Sequence, residues 1–291
     1  MIIAVIGLGN MGRAIAQRLA ASGVALRVWN RSSEKAAGLP ATVCASPAEA
    51  ARGADLAVTS LANDEAVRDV VFGAGGLLDG LGGAVHVGIS TISHAFAGTL
   101  ARAHAERGQD YVSAPVVGRP DAAASGKLFV YCGGPEAARR RCAPLFNAIA
   151  RGTFELASAP EANLAKIQTN LMLAATIELL GEVMALGEKG GIAAARTVEL
   201  LAGTLFGCPA VEVYGPMIAH GAFEPAGFRM ALGLKDVELA LAAGDELRVP
   251  LPTASIVRDR LLAALAQGLE HLDWSGLTRI ERAEAGLDAA R

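Results

Sequence analysis

Residues 2–29 read IIAVIGLGNMGRAIAQRLAASGVALRVW. Ile2 to Ile6 is an unbroken apolar run, the pattern of a strand buried on both faces. Gly7-Leu8-Gly9-Asn10-Met11-Gly12 follows at once, then an amphipathic stretch closed by Gly23, then a second apolar run from Ala25 to Trp29. Strand, glycine turn, helix and strand within about thirty residues form the unit of a dinucleotide-binding domain. Gly7 makes the tight turn, Gly9 lets the backbone approach a pyrophosphate, and Gly12 lets the helix lie against the strand. The free N–H groups at the helix start then face the anion. A GxGxxG string alone is weak; its place between a buried terminal strand and a helix makes it specific.

The end of the second strand bears on the cofactor. A site for NAD takes Asp or Glu there, for the ribose hydroxyls. This chain has Trp29-Asn30-Arg31-Ser32-Ser33, and its first acid is Glu34. Arg31 can stack on an adenine and pair with a 2′-phosphate, while Asn30 and Ser32 can donate hydrogen bonds. NADP (NADPH) is therefore the expected cofactor. A helix start with a solvated arginine is the alternative reading of the same residues.

Further along, short apolar runs alternate with helical patterns. Strands are expected at Thr42–Ala45, Asp55–Leu61, Ala84–Gly88, Tyr111–Ser113, Leu128–Cys132 and Thr153–Leu156. Residues 72–83 hold six glycines and read as a loop, and Pro135–Ala150 reads as one helix. Alternation stops near Ala157. Pro160–Gly190 then reads PEANLAKIQTNLMLAATIELLGEVMALGEKG, rich in good helix formers, with a proline at its start and Gly190-Gly191 at its end. One helix of about 28 residues is roughly 42 Å long. Lys166, Glu178 and Glu182 interrupt it, so it does not read as a membrane span. Helices are expected beyond it at 192–203, 209–219, 229–246, 252–268 and 275–289. The fold class is thus α/β: a Rossmann-type doubly wound domain over residues 1–159, then an all-α domain over residues 160–291. The long helix at 160–190 joins them. Its 171–186 segment is apolar on more than one face, more than one small domain covers, so a homodimer is expected with this helix between protomers.

Composition narrows the class further. The 291 residues are 52% hydrophobic and 19% charged, enough for a sizeable core, with a net charge of −3 that gives no nucleic-acid footprint. Arg139-Arg140-Arg141 follows Glu136 and reads as a solvated helix face. The cysteines at 44, 132, 142 and 208 form no CxxC pair, and the histidines at 86, 94, 104, 220 and 271 form no HxxxH pair, so no metal site is expected. His86 and His94, beside the fifth strand, read as structural residues, and Met11 and Met172 as packing residues. The N-terminal apolar run has no basic region before it and enters a glycine turn within seven residues. That is not the pattern of a signal peptide, and a cytoplasmic protein is expected.

Lys166 and Asn170 are four apart, so they share a helix face. Taken alone, they fit a solvated face or a proton donor with its orienting amide. Wider matches bear on the choice. GLGNMG follows the first strand, and Ser90-Thr91-Ile92-Ser93 the fifth. Ala114-Pro115-Val116-Val117-Gly118 precedes AAASGKL at 122–128. The long helix carries Asn163-Leu164-Ala165-Lys166-Ile167-Gln168-Thr169-Asn170, and Phe228 precedes Leu234-Lys235-Asp236-Val237-Glu238-Leu239-Ala240. Together these resemble the β-hydroxyacid dehydrogenase family over nearly the whole chain.

The resemblance implies hydride transfer between a nicotinamide and a small carbonyl, semialdehyde or 3-hydroxyacid. It implies Lys166 as general acid/base and Asn170 as its partner on the substrate oxygen. Ser60, Leu61, Ala62 and Thr91 would line the nicotinamide end of the cleft, with Ser90 on the substrate side and Lys235 approaching the cofactor from the helical domain. Two positions depart from the family pattern. Val117-Gly118-Arg119 stands where Ser-Gly-Gly usually holds the substrate carboxylate, and Thr169-Asn170 stands for the usual Asn-Asn pair. Arg119 can replace the serine as a carboxylate partner. If it faces solvent instead, neutral substrates fit better. Imine reductases of similar architecture usually lack the lysine, so Lys166 argues against that alternative. Lys166 and Asn170 together argue against a non-catalytic NADP-binding protein.

Overall fold

A computed structural model describes residues 1–287. The chain divides into two compact units, Met1–Lys166 and a second beginning at Ile167. In the first unit the elements run β1 (Ile2–Ile6), α1 (Asn10–Ala21), β2 (Ala25–Trp29), β3 (Thr42–Val43), α2 (Pro47–Ala51), β4 (Leu56–Thr59) and α3 (Asp64–Phe72). They continue with α4 (Leu77–Gly80), β5 (Val85–Gly88), α5 (His94–Glu106), β6 (Asp110–Ser113), β7 (Val116–Val117) and α6 (Pro120–Ala124). The unit is completed by β8 (Leu128–Gly133), α7 (Glu136–Arg141), α8 (Ala143–Ile149), β9 (Ala150–Leu156) and the first turns of α9 (Ala159–Lys189).

Among the described residues the strands form one nine-stranded sheet, ordered β3-β2-β1-β4-β5-β6-β8-β7, with β9 beside β8. Strands β3 to β6 of that order are parallel, while β8 runs antiparallel to β6 and β7. Period-two geometry sends alternate residues of β1 to opposite faces. Ile3 and Val5 pack with Ile15 and Leu19 of α1. Ala4 and Ile6 pack with Val71 of α3 and Leu100 of α5. Helices cover both faces, which is why β1 reads as a continuous apolar run.

Several local expectations are corrected. The glycine-rich segment 72–83 is not all loop, because α4 lies within it and Leu77, Leu78 and Leu81 are buried. The single helix expected at Pro135–Ala150 is two, α7 and α8, divided at Cys142. Pro144, in the first turn of α8, has no N–H for an intrahelical bond. β7 and α6 were not expected at all.

Helix α9 spans 31 residues. It is followed in the second unit by α10 (Ala194–Ala202), α11 (Pro209–His220), α12 (Met230–Leu247), α13 (Pro252–Ala266) and α14 (Arg279–Glu284). The last expected helix, 275–289, opens instead as a 3-10 turn over Trp274–Thr278, and residues 288–289 of that expectation lie outside the described residues. Ala174, Ile177 and Met184 of α9 pack with Tyr214, Leu261 and Trp274. By length and composition α9 could cross a membrane. Its charge at Glu178, however, is buried against protein: Arg260 Nε lies 3.0 Å from Glu178 Oε1, and Arg260 Nη1 lies 2.5 Å from Glu284 Oε2. A buried carboxylate with an arginine partner belongs to a protein core. Glu281 joins this group, and burial first, then Glu178, pushes its carboxyl up to about 9.

Candidate active site

In the first unit the strand order reverses between β1 and β4, and ligands of open α/β sheets bind at the C-terminal ends of the strands at such a crossing. The glycine turn lies there. Gly7 has φ +97°, and a Cβ on it would stand 2.2 Å from the Ser60 carbonyl oxygen. A Cβ on Gly12 would stand 2.0 Å from the Gly7 carbonyl oxygen. The protein's own packing therefore requires both. A Cβ on Gly9 would meet nothing within 4 Å, so Gly9 borders open space. Gly9 is also the N-cap of α1, whose first turn holds no acid. These residues fit a pyrophosphate against the helix start.

Asn30 makes two bonds beside the glycine turn. Its Oδ1 accepts from the Leu8 N–H at 2.8 Å and its Nδ2 donates to the Ser32 carbonyl at 2.9 Å. The side chain braces the glycine turn. Arg31 is exposed and has no ion-pair partner among the described residues, and Ser32 is half-buried. Asn10 is exposed on the turn, Leu8 is buried, and Met11 packs partly against the core.

The ends of β4, β5 and β6 are tied together. The Ser60 N–H donates to the Ile6 carbonyl at 2.9 Å. Ser90 Oγ accepts from the Leu61 N–H at 2.8 Å, so Ser90 holds the loop after β4. Ala62 is exposed and Thr91 half-buried. The Ile92 N–H donates to Asn163 Oδ1 at 3.2 Å, and Asn163 Nδ2 donates to Ser113 Oγ at 2.6 Å. Asn163 is fully buried on α9, and Lys166, three residues later, is 8% exposed. Val117 pairs with Phe129 in the sheet, and Gly118 has φ +139° with Leu128 Cδ2 2.7 Å from its would-be Cβ. Arg119 is half-buried at the N-cap of α6.

In the second unit Asn170 Nδ2 donates to Asp236 Oδ2 at 2.5 Å, and Lys235 Nζ lies 2.8 Å from Asp236 Oδ1. Asp236 is buried. An amide nitrogen carries two hydrogens, so Asn170 retains a second donor. Sequence reasoning assigned no role to Asn163 or Asp236. Both lie inside the motif segments, but nothing local announces partners 50 to 71 residues away.

Beneath this edge lies a histidine pair. His104 Nδ1 lies 2.7 Å from the Leu100 carbonyl, His86 Nδ1 lies 3.0 Å from His104 Nε2, and His86 Nε2 lies 2.9 Å from Thr59 Oγ1. A carbonyl only accepts, so His104 carries a proton on Nδ1; with both rings neutral, His86 donates to His104 and Thr59 donates to His86. Burial, then the charge of His104, holds His86 well below its ordinary range, and burial above all lowers His104 to about 4. Tyr111 lies against both rings, and burial raises its phenol. Burial likewise pushes the Cys132 and Cys142 thiols up to about 12, leaving them poor nucleophiles. Among the described residues no His, Cys, Asp and Glu group could hold a metal.

A doubly wound sheet with its glycine turn at the strand crossing, followed by an all-helical unit, defines a class of nicotinamide-dependent oxidoreductases. The profile for the NAD binding domain of 6-phosphogluconate dehydrogenase matches residues 2–159, and that for the NAD-binding domain of NADP-dependent 3-hydroxyisobutyrate dehydrogenase matches residues 161–280. The chain belongs to the β-hydroxyacid dehydrogenase family. It is 41% identical to the uncharacterized oxidoreductase YfjR of Bacillus subtilis over 96% of this chain and 99% of that one. It is 28% identical to glyoxylate/succinic semialdehyde reductase 1 of Arabidopsis thaliana over 95% and 97%. The structure of 3-hydroxyisobutyrate dehydrogenase from Mycobacterium tuberculosis with L-serine superposes with a TM-score of 0.87 at 28% identity, over 97% of this chain and 99% of that one.

Proposed function

We propose that this chain is an NADP-dependent reductase or dehydrogenase of a small carbonyl compound bearing a carboxylate, with Lys166 as its general acid/base. The observation that carries the reading is the buried Lys166, one turn beyond an asparagine bonded to the loop after β5 and to the last residue of β6. A lysine is seldom buried without a specific role or partner, and a solvated helix face does not bury it.

The bound nicotinamide supplies or takes up the hydride. The chain's own residues handle charge and position. As a carbonyl is reduced, negative charge grows on its oxygen, and Lys166 donates a proton or a strong hydrogen bond there. Asn170, held by Asp236, offers its remaining N–H to the same oxygen. In the oxidative direction Lys166 takes the hydroxyl proton. Arg31, exposed with no acid beside it, receives the 2′-phosphate that distinguishes NADP. A family profile described for an NADP-dependent enzyme supports the same cofactor. Arg119 takes the place of a serine as carboxylate partner. A glyoxylate or succinic semialdehyde is then a fitting substrate, as the name of the Arabidopsis relative suggests. The active form is a cytoplasmic homodimer that covers the exposed face of α9.

The test is NADPH oxidation with small aldehydes, keto acids and cyclic imines. Lys166→Ala should lower kcat by about 10²–10⁴, the usual range for a general acid or base, and leave NADPH affinity nearly intact. A fully active Lys166→Ala enzyme would move the proton donor elsewhere. Turnover of imines alone would replace carbonyl chemistry with imine reduction.

A further inference from the structure

We infer that Asn163 is the positioning residue for Lys166, an inference that rests on the catalytic reading of Lys166. Asn163 is fully buried, and both ends of its amide are committed to different loops. Its Oδ1 receives the Ile92 N–H, in the segment Ser90–Ser93 that follows β5. Its Nδ2 donates to Ser113 Oγ, the last residue of β6 and the entry to the segment that carries Val117, Gly118 and Arg119. Both bonds come from the helical turn that precedes Lys166.

On an α-helix residues i and i+3 are neighbours on one face, with Cβ atoms about 5–6 Å apart. Fixing Asn163 therefore fixes the azimuth and height of the turn from which Lys166 projects. The same amide sets two further distances, from that turn to the loop after β5 and to the loop after β6. Neither bond is local: Asn163 is 71 residues from Ile92 and 50 from Ser113. A buried amide that satisfies a backbone N–H and a hydroxyl at once has a geometry that few other side chains reproduce. Leucine branches at the same carbon but is bulkier and would leave both groups unpaired. Aspartate could accept from both but would bury a charge.

A proton donor must be closely placed, because a displacement of about 1 Å can cost about 100-fold in rate. The inferred role of Asn163 is to supply that placement. Asn163 itself need not touch the substrate.

The experiment compares wild type with Asn163→Leu and Ser113→Ala, alone and combined with Lys166→Ala. Ser113→Ala removes the 2.6 Å bond from the sheet side and leaves α9 unchanged, so it serves if Asn163→Leu folds poorly. Asn163→Leu should lower kcat about 10- to 100-fold, with the KM for NADPH within about twofold. Ser113→Ala should act in the same direction and more weakly. In the Lys166→Ala background neither should cost anything further, because residues that act as a unit are not additive.

A second readout needs no turnover. Competitive acetylation followed by mass spectrometry compares Lys166 with the exposed Lys127. Asn163→Leu should change the Lys166 rate at least about threefold and leave Lys127 unchanged. If wild type turns over no carbonyl, the functional reading fails, and the labelling rate alone decides this inference. Equal losses with and without Lys166, or a Lys166 labelling rate that stays at the wild-type value, overturn it.

Discussion

Arg31 is exposed at the end of β2, and the nearest acid along the chain, Glu34, begins no pair with it. A charge-assisted bond to a phosphate is worth about 1.5–3 kcal/mol, or roughly tenfold to a hundredfold. Arg31→Ala should therefore lower kcat/KM for NADPH at least about tenfold and leave NADH within about threefold. Equal kcat/KM for the two cofactors in wild type would contradict this. Val117 cannot hydrogen-bond a carboxylate, and a buried carboxylate without a partner is costly. Arg119→Ala should raise KM for succinic semialdehyde and leave a neutral aldehyde of similar length unchanged. Equal losses on both, or none on either, would remove Arg119 from carboxylate binding. At this scale the sequence was informative about residue types and poor on partners. The GLGNMG turn and the shared helix face of Lys166 and Asn170 were legible because turns and helix faces are local. Asn163 and Asp236 were not, because their bonds close loops of 50 to 71 residues. Asn30 read as a hydrogen-bond donor to the cofactor; Leu8 and Ser32 take up its oxygen and one N–H, and one N–H is left over.

Four elements meet at the histidine pair: β4 through Thr59, β5 through His86, α5 through His104 and β6 through Tyr111. The His86–His104 bond is kept only while at least one of the two rings is neutral. In the unfolded chain each histidine takes a proton near pH 6.5. In the fold His104 resists down to about 4, and burial, then His104, lowers His86 well below its ordinary value. The unfolded state therefore binds more protons between these values, and stability falls as pH falls from about 6.5. Between pH 7 and pH 5 the neutral His104 should cost roughly 2 kcal/mol. Arg107 favours the neutral form of His104 as well, so the direction does not depend on burial alone. His104→Gln removes one titrating ring. Its stability deficit against wild type, measured by urea unfolding, should shrink by roughly 2 kcal/mol from pH 7 to pH 5. A deficit that stays constant with pH would mean that His104 is not held neutral. Most elements were legible from period and punctuation, since β1, α1, β2 and α9 are long enough to show theirs. β7, two residues long, and α4, four residues inside a glycine-rich segment, are too short to carry a period.

At the scale of the molecule, α9 leaves apolar residues uncovered. Met172, Leu179 and Leu186 are 71%, 58% and 75% exposed, and they lie seven residues apart. A straight helix drifts about 20° per heptad, so the three form one nearly straight stripe. The stripe belongs to the part of α9 that the sequence marks as apolar on more than one face. Burying a large aliphatic side chain contributes about 1.5–3 kcal/mol. Three from each of two protomers give a gross gain on the order of 12 kcal/mol. Association costs an estimated 4–15 kcal/mol in lost freedom. Gain and cost are comparable, so a dimer on this stripe needs neighbouring contacts and is sensitive to any one position in it. Wild type should sediment as a dimer at micromolar concentration. Leu179→Glu places two like charges on facing helices and should give a folded monomer with unchanged helical circular dichroism. A wild type that is monomeric at about 10 µM, or a Leu179→Glu variant that is as dimeric as wild type, would mean that this face is covered by something other than a second copy of the chain.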